Sequence, residues 1–528
     1  MEMKFAGAAL LMGLAAPALL AAQHQHPTPA RPDSTRAPTT NAPAPRTAPD
    51  TAHQHPSATP DRARSAPPTP APAPDRRGTP AEAAPSRGVE PRDAANLPGL
   101  GRSAADAHAA HGAAGHAAAG HEMFSTRVGG WNLMGMGQVY ALGTRGAPGL
   151  DASPLTETEA YLTQPVAMVN VESPGQAFTL RTTLDFEALT MPDGELTFGG
   201  WGEGFIDKRH PHTLVHELML SANLWNAAGG SLSLSAGKGF APFGTDDPMS
   251  RPPAKYPTNH HLSQVLERWT LNAVYLRGPW SVEAGLFAGA EPEGPYDMSN
   301  YHDFADSWSA RVVRRFGGTG TRAHFELSGS YALISERHGD EHEHTSLANA
   351  YFRHQGGHGR FTLYNLVEAS RSEPHGDHQG YYSLLGETLA TVGRHAPYAR
   401  IEFSTRPEFA RESPTGGEGF FRYDHDAEAI GATRWVITTL GYGLRTSRFP
   451  AGSLPFVEVQ HHRVRGERGA VDPALLFGDD SFWSLTAGVR LFLGSSGPMR
   501  MGSYGVLDDM TWMHRMAQGA IPASYGKR

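Results

Sequence analysis

Histidine is the residue type with the widest chemical reach in this chain. There are 27 histidines and no cysteine. Thiolate sites, disulfides and a cysteine nucleophile are therefore excluded, and a transition metal would have to rest on imidazole, carboxylate and thioether. The histidines fall in clusters. His210 and His212 flank Pro211; in an extended chain residues two apart project to one side, and the proline restrains the backbone between them, so the pair is preorganised for an ion. His260 and His261 are adjacent, diverge in an extended chain, and need a turn for both to bind. His338, His342 and His344 stand among Asp340, Glu341 and Glu343, while His375 and His378 flank Asp377 close to Glu373. Acidic, imidazole-rich stretches of this kind capture borderline metals loosely, copper and zinc foremost. Each set also has a plainer reading, as loop residues that satisfy backbone groups and carboxylates such as Asp207, Asp246 and Asp247. No organic cofactor is indicated.

Motifs that would make the chain an enzyme fail one by one. His216-Glu217 is followed by Leu220 where a zinc protease needs a second histidine, no G-x-S-x-G elbow occurs, and Lys238 lacks the spacing of a phosphate loop. The expectation is a non-enzymatic protein. A formal net charge of −8 gives no reason to expect a nucleic-acid partner.

The elements that must position these histidines are strands. Phe178, Leu180, Thr182 and Leu184 alternate with Thr179, Arg181, Thr183 and Asp185, a period of two with charge on one face, and the same alternation is read on through Phe186, Glu187 and Ala188. A second alternating run follows, with Leu214, Leu218, Leu220, Ala222 and Leu224 on one side. His216 shares their parity and is expected to point outward, opposite Val215, Glu217 and Met219. Similar runs begin at Trp131, Ala160, Phe178, Leu214, Leu232, Trp269, Trp280, Trp308, Phe325, Leu347, Phe361, Ser383, Ala399, Ala432, Phe456 and Trp483. This predicts an all-β fold, an antiparallel transmembrane barrel of about 16 strands within an even range of about 12 to 18.

A secreted sandwich would alternate in the same way, so position has to decide. Trp131, Trp269, Trp280, Trp308 and Trp483, with Tyr140, Tyr275 and Tyr331, fall near strand ends, where amphipathic rings mark a membrane boundary. Tight turns at Gly278-Pro279, Gly317 to Gly320 and Gly356-Gly357 are assigned to one rim. Longer connections at 191–209, 245–264, 291–305, 338–344, 373–380 and 411–428 are assigned to the other, outer rim.

Ahead of the strands, residues 1–22 read as a signal peptide, with Lys4 before an apolar run that is too short for a comfortable membrane span. Residues 23–122 are rich in Pro and Ala and read as a disordered tether, with His24, His26, His53 and His55 near its start. The barrel is expected over 123–494. A methionine-containing tail, 495–528, is expected to pack against it, since Leu507, Met510 and Met513 have helical spacing.

The run Ile206-Asp207-Lys208-Arg209-His210-Pro211-His212, the later Pro252-Pro253-Ala254 with His260-His261, and Asp306-Ser307-Trp308-Ser309-Ala310-Arg311 resemble signature segments of an uncharacterised family of bacterial outer-membrane β-barrel proteins. That family is often encoded beside genes for copper and other heavy-metal resistance. The resemblance implies a barrel architecture, a place in the outer membrane and a setting linked to metals. Together these readings describe a porin-like barrel in contact with outer-membrane lipid, with Arg181, Asp185, Glu187, Glu326, Arg400, Glu402 and Arg490 in its lumen. Its expected work is passage of small solutes or handling of transition-metal ions; the alternative is a closed structural or hydrolytic barrel.

Overall fold

The computed structural model describes residues 124–147, 158–191, 212–251, 257, 260–292, 294–317, 325–338, 341–375, 380–409, 429–446, 452–469, 472–474, 479–493 and 501–508. The expected signal peptide and tether, His210, His378 and most of the methionines of the tail lie outside these residues.

The described residues form seventeen strands: β1 (Phe124–Val128), β2 (Trp131–Ala147), β3 (Thr158–Glu172), β4 (Phe178–Asp185), β5 (Val215–Ala227), β6 (Gly230–Gly239), β7 (Arg268–Arg277), β8 (Trp280–Phe287), β9 (Ser307–Phe316), β10 (Phe325–His338), β11 (Glu341–His358), β12 (Phe361–Pro374), β13 (Tyr381–Val392), β14 (His395–Phe409), β15 (Ala429–Leu444), β16 (Ser453–Gly469) and β17 (Ser481–Leu493). Each strand from β2 to β17 pairs antiparallel with the next, and β17 pairs back onto β2 from Trp483↔Ala147 to Leu493↔Gly137. The sheet is thus a closed ring of 16 strands. β1 is an addition that the period-two reading missed. It forms a tight hairpin with β2 (Val128↔Trp131 to Phe124↔Gly135), with Gly129 and Gly130 both at positive φ, as a primed hairpin turn demands. β1 and β17 therefore share one edge of β2, end to end.

Parity sorts most of the wall as the sequence predicts; Tyr140, expected at the membrane boundary, is instead buried within the barrel in the middle of β2. In β4, Phe178 is exposed while Thr179, Arg181, Thr183 and Asp185 are buried; in β10, Glu326 and Ser328 are buried between exposed Phe325 and Leu327; in β17, Ser484, Thr486 and Arg490 are buried and Trp483 and Leu485 exposed. The buried face lines the lumen. Its charges are paired across it: Arg311 with Glu283 at 2.6 Å, Arg315 with Glu326 at 3.3 Å, and Arg400 with Glu387 at 3.0 Å. The exposed face is apolar and carries Trp131, Phe178, Trp280, Phe325 and Phe361 at the starts of even-numbered strands, with Trp308 and Trp483 near the starts of odd-numbered ones. Successive strands run in opposite directions, so these rings form two girdles around an apolar band, as lipid contact requires.

Several connections depart from expectation. The turn between β11 and β12 falls at 359–360, because Gly356 and Gly357 remain in the β11 ladder. The stretch 338–344 is not an open loop, since β10 runs to His338 and β11 begins at Glu341. Most consequential is the connection after β6, which was assigned to the outer rim and instead folds into the lumen. Its Phe240 carbonyl accepts from Asn272 of β7 at 2.8 Å, Thr245 donates to Glu368 of β12 at 2.9 Å, Asp246 pairs with Arg353 of β11, and the Met249 carbonyl accepts from Arg490 of β17 at 2.7 Å. Phe240, Phe243 and Met249 are buried, which a solvated rim loop would not permit.

The C-terminal segment 501–508 packs against the barrel from within. Asp508 pairs with Arg181, Tyr504 donates to Glu217 at 2.9 Å, and Val506 and Leu507 pack on Val274 and Leu276.

Candidate functional site

The continuation of β4 sets the site. The strand stops at Asp185, where Asp185 Oδ1 accepts the backbone N–H of Glu187 at 2.9 Å, and a single helical turn, α1 (Glu187–Thr190), follows. Predicted alternation through Ala188 is therefore cut short, because an Asx turn competes successfully with the ladder. Both carboxylates nevertheless stay inside, fully buried.

The strand that returns brings the imidazoles. His212 precedes β5, and its Nδ1 lies 3.0 Å from Glu187 Oε2 and 3.9 Å from Asp185 Oδ2. His216 is also buried, against the outward orientation that its parity predicted. The reason is a bulge: Thr183 pairs with Glu217 and Leu184 with Val215, which leaves His216 without a ladder partner and turns it inward beside Glu217.

Two residues from the β6–β7 connection close the cluster. Glu267 Oε1 lies 2.7 Å from His216 Nδ1 and also accepts the Thr213 N–H at 2.7 Å. Asp247 Oδ1 accepts the Met249 N–H at 2.7 Å, while its Oδ2 stands 3.9 Å from His216 Nε2. The two imidazoles face each other edge to face with ring centres 5.0 Å apart.

The electrostatics outside the strands follow from these contacts. Burial pushes the Glu187 carboxyl up, but the hydrogen bond and charge of His212, with help from Thr163 and the Gln164 N–H, outweigh it and hold the group below its ordinary range. Burial likewise works against a charged His212, yet the Glu187 hydrogen bond and charge push it to about 9. Glu267 is depressed because the hydrogen bond and charge of His216 overcome its burial, whereas burial dominates at Asp247 and raises it. Among the described residues no arginine or lysine forms an ion pair with Asp185, Glu187, Asp247 or Glu267. The nearby Lys238 ammonium is held by Thr213 Oγ1 at 3.0 Å and the Asp297 carbonyl at 2.9 Å.

Three candidate ligands, two carboxylates and one imidazole, are thus gathered. Ligand atoms of Asp185, Glu187 and His212 all lie within 4.8 Å of one another. Of the histidines singled out from sequence, His212 is the one that the described residues place here. His260 and His261 open a short helix, α2 (His260–Ser263), and His338 and His342 occupy paired strand ends. His344 and His375 are exposed neighbours with ring centres 6.0 Å apart, and His375 bonds to Ser346 at 2.9 Å. Asp185 and Glu187 had been read as lumen charges, not as ligands. Two more members were misread: His216 by parity, and Asp247 as a partner for loop histidines at the outer rim.

No family model matches the chain, and no curated protein matches it. Solved structures do. Outer-membrane expressed OmpT of Vibrio cholerae is 11% identical, with a TM-score of 0.39, over 70% of this chain and 99% of that one. An anion-selective porin from Comamonas acidovorans is 11% identical, with a TM-score of 0.37, over 69% of this chain and 100% of that one. OccK2 (OpdF) of Pseudomonas aeruginosa is 12% identical, with a TM-score of 0.33, over 69% and 97%.

Proposed function

We propose that the protein is a non-enzymatic, porin-like barrel of the bacterial outer membrane that passes or retains small solutes, with transition-metal cations as the class its lumen favours. The observation that carries the reading is the partition of the wall: an apolar outer band between aromatic girdles, and an inner face lined with paired charges that a protein-packed sheet would not tolerate over its whole circumference. The inward fold of the β6–β7 connection gives that lumen a constriction, and constrictions lined by charge govern which ions cross.

A sealed barrel is the second reading, favoured by the segment 501–508 filling the side of the lumen lined by β4 to β7. Planar-bilayer recording separates the two. Stepwise currents from the purified protein, with a cation preference under a salt gradient, are expected. A bilayer that stays silent at high protein, with correct insertion verified, would remove the pore and leave the sealed barrel.

A further inference from the structure

Within the lumen cluster, three side chains share one arrangement: one polar atom is tied down and the other is left over. Asp185 uses Oδ1 on the Glu187 N–H, Asp247 uses Oδ1 on the Met249 N–H, and His216 uses Nδ1 on Glu267. Among the described residues the remaining atoms, Asp185 Oδ2, Asp247 Oδ2 and His216 Nε2, make no hydrogen bond although each is buried. A buried polar atom without a partner is unfavourable, so three together call for an occupant.

The chemistry of that occupant is constrained. An imidazole that donates one ring N–H to a carboxylate and keeps the other nitrogen open is the form in which histidine ligates metal, the carboxylate fixing tautomer and ring plane. Carboxylates outnumber imidazoles here, and among the described residues neither arginine nor lysine forms an ion pair with them, which suits a dication. Nitrogen and oxygen donors without sulfur select zinc, copper(II), nickel(II) or cobalt(II) and exclude copper(I) as the preferred ion.

We infer that this cluster is a transition-metal site, with Asp185, Glu187 and His212, whose ligand atoms lie within 4.8 Å of one another, as the first ligands, and with His216 and Asp247, 3.9 Å apart, as the adjoining residues that a bound ion would draw in. Glu267 is a positioning residue, acting through His216. The inference deepens the proposed function and rests on its metal-handling half. The site lies at the lumen end where β4 hands over to β5, away from the surface pair His344 and His375.

The test uses the full-length protein refolded in detergent, stripped with a chelator and titrated with zinc chloride by calorimetry and with cobalt chloride by visible absorption. A single ion per chain is expected, with a cobalt spectrum of nitrogen and oxygen ligation. Asp185→Asn and His216→Gln should each weaken zinc at least as much as Glu267→Gln, for which a loss of about 10–100-fold is expected. The Glu267→Gln spectrum should shift without vanishing, which a purely structural role would not produce. His344→Ala combined with His375→Ala should leave affinity unchanged.

Binding that survives Asp185→Asn and Glu267→Gln but disappears in the surface double variant would overturn the site, as would the absence of heat and spectrum in the parent. Heat-modifiable electrophoretic migration verifies that each variant has folded. Should His216→Gln fail there, the isosteric Asp185→Asn carries the test. Conductance recorded on the same preparations keeps the two claims apart: metal binding without current supports the site and removes the pore, and current without metal binding removes the site alone.

Discussion

A bulge at Val215–Glu217 interrupts the β4–β5 ladder and turns His216 from the lipid side to the lumen, where Glu267 and Asp247 meet it. At this scale the interior is held by charges that cannot be removed singly. Arg251 is buried against Glu368 at 3.2 Å and lies within a network that reaches Thr245 and Asn349. Arg251→Ala removes a buried cation 3.2 Å from the Glu368 carboxylate and is expected to destabilise the barrel by about 3–5 kcal/mol, read from urea-dependent unfolding in lipid or detergent. Arg434→Ala, which removes a rim pair with Glu467, should leave the unfolding midpoint where it was. An Arg251→Ala protein as stable as the parent would mean that water reaches Glu368 and that the lumen is wetter than described.

At the scale of elements, two segments fill the barrel and neither has a period that would betray its direction. Strand faces could be read from sequence because parity alone fixes them, and the starts of β2 to β17 fall within a few residues of the predicted ones; β11 and β14 begin somewhat earlier. The β6–β7 connection carried only a compositional hint, the apolar run Phe240-Ala241-Pro242-Phe243. His216 could not be placed, since a bulge depends on pairing register and not on residue type. The C-terminal segment docks through Tyr504, whose hydroxyl donates to Glu217 and accepts the Phe240 N–H at 3.0 Å. Burial, then the Glu217 charge, push this phenol well above its ordinary range. Both docked and released states keep the proton below about pH 10, so docking has its full strength there. As pH rises past that value the released phenol ionises while the docked one resists, and docking weakens progressively. Limited proteolysis of the tail should therefore increase above pH 10 in the parent and not in Tyr504→Phe. Gly505, at positive φ with the Ser233 side chain where a Cβ would stand, offers a pH-independent route: Gly505→Val should release the segment at neutral pH and raise conductance.

On the scale of the whole molecule, the hydrophobic surface faces outward, and Leu220 lies 55% exposed near the middle of β5. Leu220→Arg is expected to cost about 2–4 kcal/mol in a bilayer because the guanidinium would sit at hydrocarbon depth. The folded fraction recovered in lipid vesicles measures it. Tolerance of that charge, or solubility of the parent without detergent, would mean that another protein layer and not lipid covers the wall.

The ring also has one place unlike the rest. Along one edge of β2 the hydrogen-bonded partner changes from β1, whose pairing reaches Gly135, to β17, whose pairing begins at Gly137. There the five-residue β1 and the thirteen-residue β17 meet end to end along one neighbour. Unzipping should begin at that joint, with amides around Met136 and Leu493 exchanging with deuterated water before those of the β14–β15 ladder, and the ring closes only once β17 has found β2.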